Sequence, residues 1–570
     1  MKGIGVSPGI SIGNACIIYK AAIFISGIRV ETKEEKDVEA EKFDKAVLSA
    51  IEEVNFLREK NALTLNSEES DILDTQIEFL SDPQIRSDVL DKILNENKTA
   101  SDAVIEVVFA AAQMFGNMED VYLKTRAADL QDIGNRILNA LNHNAQHLPA
   151  QFKKNTIIIA EDLSPSETIA LDITKVAGFA TISGGKTSHA AIIAKARGIP
   201  AVVACGKDLL NIENNDIIIL DGTSGDVIIR PGDNKIEEYK RKQKKIIEEL
   251  SFLKALKDLP AKTTDGHTVK MLANISGHTD LEQVFENGGE GVGLFRTELL
   301  FIGRESFPSE EEQFQFYKQV AIKSKGKPVI VRTIDIGGDK QLPYFGIPHE
   351  NNPFLGYRAI RICLNQKDIF LTQLRSILRA SVFGNLKIMF PMVSSIDEIR
   401  SAKECVQQAK EDLLKSGINF RDDTEIGIMI EVPSAALMAD IFAKEVDFFS
   451  IGTNDLCQYT LAVDRMNEKV SGLYDHFNPG LLRLIKNVIA QAHKHKINAG
   501  LCGEMASDPL ATLLLLGMGL DELSMGAASI PYIKNIIIGN SLSKARDVCS
   551  NVMKMDNSGT IKRYLEEVSK

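Results

Sequence analysis

The chain has 570 residues, 44% of them hydrophobic and 25% charged, and a formal net charge of −12 at pH 7. That length corresponds to about three domains with room for a large core, which excludes a single small module or a disulfide-held scaffold. The acidic balance argues against a general nucleic-acid or anionic-membrane binder, because phosphates and lipid headgroups select an excess of Lys and Arg. In chain order, residues 3–20 read as strand material broken by Ser7-Pro8-Gly9. From about Glu31 to Leu141 apolar residues recur at helical spacing, as in Val47, Ile51 and Val54 or Leu90, Ile93 and Leu94, and glycine is confined to Gly116 and Gly134. This predicts a helical bundle. Residues 155–230 alternate short apolar runs with turns, predicting an α/β domain with at least four strands and a helix over 188–197. The bundle therefore reads as an insert between an N-terminal strand and the rest of that domain. A charged helix over 234–257 connects to the second half.

After Pro260 eight strand-like runs follow, at 269–275, 291–296, 328–335, 386–393, 426–431, 448–453, 499–503 and 522–525, most of them separated by helical stretches. Eight such units predict a (β/α)8 TIM barrel. The whole is a multidomain α/β chain: an α/β domain at 1–20 and 145–232, a helical insert at 21–144, a linker helix at 233–259 and the barrel at 260–570.

The seven cysteines are scattered, odd in number and lack CxxC spacing, as expected of reduced thiols in the cytoplasm with no disulfide framework and no zinc site. The N-terminal stretch lacks a basic segment followed by a continuous apolar run, so no signal peptide is read. No run of about 18 apolar residues predicts a membrane span. The insert holds 25 Asp/Glu against 13 Lys/Arg between residues 21 and 144. A solvated helical surface accounts for that, and a docking face for a basic protein is the functional alternative.

In a (β/α)8 barrel the chemistry sits at the carboxyl ends of the strands. Here those ends present Arg296, then Arg332, Asp335 and Lys340, then Glu431, then Asn454 and Asp455, with Asp464 and Arg465 just beyond, then Cys502 and Glu504; Arg358 and Arg361 follow the third strand. Any one of them could be a structural ion pair. Together, two carboxylates on neighbouring strands suit a hard cation such as Mg²⁺, and several guanidinium groups suit a small, densely anionic substrate. A metal with an arginine clamp is the equipment of phosphoryl transfer. The second candidate is the segment SGGKTSHAAIIAKARGIPAVV, residues 183–203. Thr187 or Ser188 can cap a helix that places His189 in its first turn, where the positive helix end favours a neutral, nucleophilic imidazole and would stabilise a phosphate added to it.

The segment GGKTSHAAIIAKARGIPAVV resembles the phosphohistidine motif of phosphoenolpyruvate-utilising enzymes. GVGLFRTELLF, VRTIDIGGDK, NPFLGYRAIR, FPMVSS, IMIEVPSAA, FFSIGTNDLCQYTLAVDR and AGLCGEMASDP resemble their phosphoenolpyruvate-binding barrel. SPGI, YLKTRAADLQDIGNRIL and EDLSPSET are similar to one branch, Enzyme I of the bacterial phosphoenolpyruvate-dependent sugar phosphotransferase system. The resemblance runs from about residue 3 to 540. It implies a swivelling phosphohistidine domain, a helical insert that docks the phosphocarrier protein HPr, and a homodimer formed through the barrel. It implies Mg²⁺ held by Glu431 and Asp455, phosphate held by Arg296, Arg332, Lys340 and Arg465, and substrate oriented by Asn454 and Arg358. His189 is the implied nucleophile, Cys502 the implied proton donor, and pyruvate the product. Two positions depart from the pattern: Ala190 stands where many members of this branch carry Thr, and Met466 where Gly is usual. A pyruvate phosphate dikinase or phosphoenolpyruvate synthase would need a large ATP-binding domain ahead of the His segment, where helices without a P-loop are read. A catalytically silent phosphoenolpyruvate sensor would be expected to have lost the nucleophile or a metal ligand, and both are present.

Overall fold

The computed structural model describes residues 1–18, 25–61, 67–116, 121–142, 153–163, 175–185, 188, 191, 194–195, 198–302, 304, 306–338, 342–346, 350–467 and 469–569. It divides into two units, 1–249 and 250–570.

The first unit is built on a seven-stranded sheet in the order β1-β5-β4-β3-β2-β6-β7. Its strands are β1 (Ile4–Ser7), β2 (Ile10–Ile18), β3 (Thr156–Ala160), β4 (Val176–Thr181), β5 (Ala201–Val203), β6 (Ile217–Asp221) and β7 (Asp226–Ile229). The sheet is mixed: β2, β3, β4 and β5 run parallel, while β1 joins β5, and β6 joins β2 and β7, antiparallel. The runs of β3, TIIIA, and β4, VAGFAT, are almost wholly buried, as expected of strands covered on both faces. Five strands follow residue 155, within the predicted minimum of four. The Ser7-Pro8-Gly9 break separates β1 from β2, and Gly9 has φ +126°, a conformation natural to glycine.

Between β2 and β3 the chain leaves the sheet for the helices α1 (Lys33–Asn61), α2 (Ser67–Leu80), α3 (Pro83–Leu94), α4 (Ala100–Val104), α5 (Ala110–Gly116) and α6 (Val121–Leu141). Phe43, Val54, Leu73, Val89, Ile93, Val104, Val108, Leu130, Ile133 and Ile137 form its core. One feature escapes the periodicity: Ile105–Phe109 winds as a π-helical turn, which shifts the register of the apolar stripe between α4 and α5. Gly134 has a reason to be small, since a Cβ there would lie 2.8 Å from the ring of Phe109. Entry to the bundle is pinned by the buried carboxylate of Asp102, which accepts from the Ser26 and Gly27 amides at 2.8 and 3.0 Å and from the Ser26 hydroxyl at 2.9 Å.

The helix Asp233–Ala255 follows β7. Its Ile236, Tyr239 and Ile246 pack with Ile10 and Ile219 of the sheet, and Gln243 donates to the Ile10 carbonyl at 2.9 Å. Leu253, near its end, is also buried.

That second unit is a closed barrel of eight parallel strands: β8 (Lys270–Ile275), β9 (Val292–Phe295), β10 (Pro328–Arg332), β11 (Asn385–Phe390), β12 (Ile426–Ile430), β13 (Phe448–Ile451), β14 (Asn498–Leu501) and β15 (Glu522–Met525). Each lies on one predicted run. Six of the eight strands stop short of the predicted carboxyl ends, so Arg296, Asp335, Glu431 and Cys502 all follow the last residue of their strands. Leu294, Ile330, Met389, Met429, Phe448 and Cys502 form a cluster of their own, fed by six of the eight strands or the residues just beyond them. A larger cluster packs the strands against the outer helices. Among the described residues no helix is long and apolar enough to cross a membrane.

Candidate active site

At the carboxyl end of the barrel, ionised groups are buried in pairs. Arg332, the last residue of β10, is bonded to Glu298 and lies 2.8 Å from Asp335. Arg358 reaches Asp335 at 2.9 Å and Asp455 at 3.2 Å, and donates to the Tyr459 hydroxyl at 3.0 Å. Arg465 stands 3.2 Å from Asp455 Oδ1. Asp335 thus bridges two arginines, as does Asp455. Burial draws the Arg332 and Arg358 guanidinium groups down, but the surrounding carboxylates more than offset it and keep both cationic.

Local backbone explains how these groups meet. Gly337 has φ +102°, and a Cβ there would fall 2.5 Å from Arg358 Cβ, so the IGG turn lets the chain fold back until Arg358 faces Asp335. Met392 sits at φ +56° and aims its amide at Glu431 Oε1, 2.6 Å away. Ala359, next to Arg358, also has positive φ. Strained residues of this kind persist where surrounding packing over-determines them.

The cluster is not saturated. Asp455 Oδ1 and Arg465 Nη1 stand 3.2 Å apart as an ion pair without a hydrogen bond, and the Nε atoms of Arg332 and Arg358 are buried without one. Burial, then the nearby Asp455 and Asp335, pushes the Glu431 carboxyl up to about 8. Gly452 leaves Glu431 Oε2 uncovered, since a Cβ there would stand 3.0 Å from it. Two adjacent carboxylates that repel each other, one with an orphaned oxygen, fit a divalent cation. Among the described residues no three His, Cys, Asp or Glu side chains converge as a ligand set, so such a cation would draw its remaining oxygens from substrate or water.

Cys502 lies deeper than its strand-end position predicts. It is buried in the barrel interior, its amide bonded to the Ile451 carbonyl at 3.0 Å and its own carbonyl held by Asn274 Nδ2 at 3.0 Å. Burial pushes the thiol up to about 11, although Ser450, Arg332 and Arg296 pull the other way. It is therefore a thiol at neutral pH, the form that can donate a proton. Arg296 is exposed at the end of β9. Asn454 is committed to its neighbour: its Oδ1 accepts from the Glu504 amide at 2.9 Å and its Nδ2 donates to Glu504 Oε1 at 3.3 Å. Arg361 turns away and holds the Leu355 and Gly356 carbonyls, so the guanidinium read as converging on the rim is a loop brace. Met466 is exposed and is not among the described residues with positive φ, so its backbone does not demand the usual glycine. Lys340 lies outside the described residues.

In the first unit, Gly184 has φ +103° and Ser188 Oγ accepts from the Ala191 amide at 3.4 Å, the N-cap pattern. Ser188, one of the two predicted caps, makes this bond, and Thr187, the other, lies outside the described residues. His189 and Ala190 lie outside the described residues.

Sequence reasoning passed over Glu298 and Tyr459. Both sit inside the motif segments, and the available signal was that each guanidinium in a buried site needs a counter-charge or acceptor nearby.

Three domain families match in chain order: PEP-utilising enzyme, N-terminal, over residues 2–126; PEP-utilising enzyme, mobile domain, over 152–225; and PEP-utilising enzyme, PEP-binding domain, over 251–541. The chain thus has the parts of a phosphoenolpyruvate-utilising enzyme. Phosphoenolpyruvate-protein phosphotransferase of Priestia megaterium is 46% identical over 96% of this chain and 94% of its own length. The proteins of the same name from Bacillus subtilis (strain 168) and Staphylococcus carnosus (strain TM300) are each 44% identical, over 100% of this chain and 100% and 99% of their own. The chain belongs to the phosphoenolpyruvate-protein phosphotransferase family, and is a phosphotransferase.

Proposed function

We propose that this chain moves the phosphoryl group of phosphoenolpyruvate onto its own His189 and then onto the histidine of the phosphocarrier protein HPr, as the first step of a sugar phosphotransferase system in the cytoplasm. The observation that carries the reading is the unsaturated, arginine-rich rim around Glu431 and Asp455. Arg296, Arg332, Lys340 and Arg465 hold the phosphate, and Arg358 and Asn454 orient the substrate. Glu431 and Asp455 hold Mg²⁺, which when bound neutralises charge on the phosphate and carboxylate oxygens. His189 attacks phosphorus in line; the N–P bond forms as the bond to the enolate oxygen breaks. The Cys502 thiol gives its proton to the enolate carbon, pyruvate leaves, and solvent returns a proton to the thiolate. The acidic insert docks the carrier, and the barrel dimerises.

In Cys502→Ala, pyruvate formation and exchange of its methyl protons are expected to fall by about a hundredfold or more, the usual worth of a positioned acid, while phosphoryl exchange partly survives. Methyl-proton exchange at the wild-type rate would assign the proton to another donor.

The test of the whole reading is one incubation with labelled phosphoenolpyruvate and Mg²⁺ without ATP. Acid-labile label on the protein is expected. A strict need for ATP or AMP would identify a dikinase, and no label at all a silent sensor.

A further inference from the structure

A buried amide lies behind the arginine clamp. Gln373, on the outer helix Lys367–Ser381, is fully buried. Its Oε1 accepts from the Ile334 amide at 2.9 Å. Its Nε2 donates to Thr297 Oγ1 at 3.2 Å and to the Tyr317 hydroxyl at 3.0 Å. Thr297 in turn donates to the Arg332 carbonyl at 3.0 Å. The amide's orientation is settled by Ile334, whose N–H can only donate.

The placement is specific. β9 ends at Phe295 and β10 at Arg332, so beyond these residues the ladder no longer ties the two segments together. Thr297 stands between Arg296 and Glu298, and Ile334 between Arg332 and Asp335. One side chain therefore replaces the missing ladder bonds and fixes two strand ends that supply Arg296, Arg332 and the two carboxylates paired with Arg332. Tyr317 and Gln313, both buried, extend the network to the helix Glu310–Lys323. A buried polar network is costly unless satisfied, and when satisfied it specifies one geometry. An apolar residue at 373 would pack this layer as well; what it would not do is hold the Ile334 amide or orient Thr297.

We infer that Gln373 is a positioning residue for the phosphate clamp, acting through Thr297 on the Arg332 main chain. This rests on the reading of the rim as the phosphoenolpyruvate site. It implies that the loss of Gln373 weakens phosphoenolpyruvate use without touching transfer between His189 and the carrier, which needs no barrel residue.

The experiment compares wild-type full-length enzyme with Gln373→Met, Thr297→Val, their double variant and Thr297→Ser. It measures KM and kcat for phosphoenolpyruvate-dependent phosphorylation of the carrier, and label taken back from phosphorylated carrier. Gln373→Met and Thr297→Val should each raise KM for phosphoenolpyruvate by roughly ten- to a hundredfold, as misplaced binding groups do. The double variant should be no worse than the poorer single one, because both break the same connection. Thr297→Ser, which keeps the hydroxyl, should stay near wild type, and reverse labelling from the carrier should be unchanged throughout. A folded Gln373→Met or Thr297→Val enzyme with lowered Tm but KM within about twofold of wild type would overturn the inference, as would simple additivity. If Gln373→Met does not fold, Thr297→Val against Thr297→Ser decides alone. A wild-type enzyme that takes no phosphate from phosphoenolpyruvate would overturn the functional reading first and this inference with it.

Discussion

A His189→Ala protein is expected to fold, to bind phosphoenolpyruvate with Mg²⁺, and to take no label from it. The expectation starts from Ser188, whose hydroxyl accepts from the Ala191 amide. The sequence puts His189 next, in the first turn of the helix read over 188–197, where N–H groups would oppose protonation of an imidazole and favour a bound phosphate. The proposed clamp residues belong to the other unit, so removing the imidazole should leave binding intact. Loss should therefore appear in the chemical step alone, down to the detection limit of the label. Labelling near the wild-type level would move the nucleophile to another of the nine histidines.

The second large effect is at Glu431. Glu431→Gln should lower phosphoryl transfer by at least about a thousandfold, because the variant would lose a carboxylate proposed to hold the Mg²⁺ that would offset charge on the phosphate oxygens. The same change should stabilise the substrate-free protein. Burial, followed by Asp455 and Asp335, opposes ionisation of Glu431 and pushes its carboxyl up to about 8 in the folded chain. In the unfolded chain an ordinary carboxyl titrates near ~4.3. Between those values the folded state holds the extra proton, so stability falls as pH rises through that window. The variant is spared that fall. Its advantage in thermal midpoint should be small near pH 4.5, grow toward pH 8 and level off above it. A variant no more stable than wild type at pH 8.5 would mean that Glu431 is ionised at little cost. Calorimetry showing unchanged Mg²⁺-dependent phosphoenolpyruvate binding in the variant would reject its role as a ligand.

The barrel was legible because each strand is a short apolar run bounded by turns and the eight runs recur along the chain; β8 to β15 all lie on predicted runs. The helical insert was legible from spacing and from scarce glycine. Three things were not. The mixed pairing of β1, β6 and β7 depends on which edges meet in space, and no local pattern encodes it. The depth of Cys502 depends on what closes over it: β14 ends at Leu501, yet the Cys502 amide still bonds the Ile451 carbonyl and its side chain joins Leu294, Ile330, Met389, Met429 and Phe448, contacts that no local pattern encodes. Arg361 and Arg358 look alike in GYRAIR, yet one braces a loop through the Leu355 and Gly356 carbonyls and the other pairs with Asp335. Motifs name the groups that touch substrate. They are silent about a glutamine on an outer helix.

The route from β2 to β3 has a further consequence, for the order of folding. These strands are parallel neighbours, yet the entire insert separates them in sequence. Pairing them from a disordered chain would carry the closure entropy of a very long loop. Helices with local contacts form early, whereas distant strands pair late. A bundle that collapsed first would shorten the effective loop between β2 and β3 before any ladder bond formed, and would then act as a folding template for the sheet. Weakening the core around Val54, Ile93 and Ile133 would then slow assembly of a sheet those residues never touch.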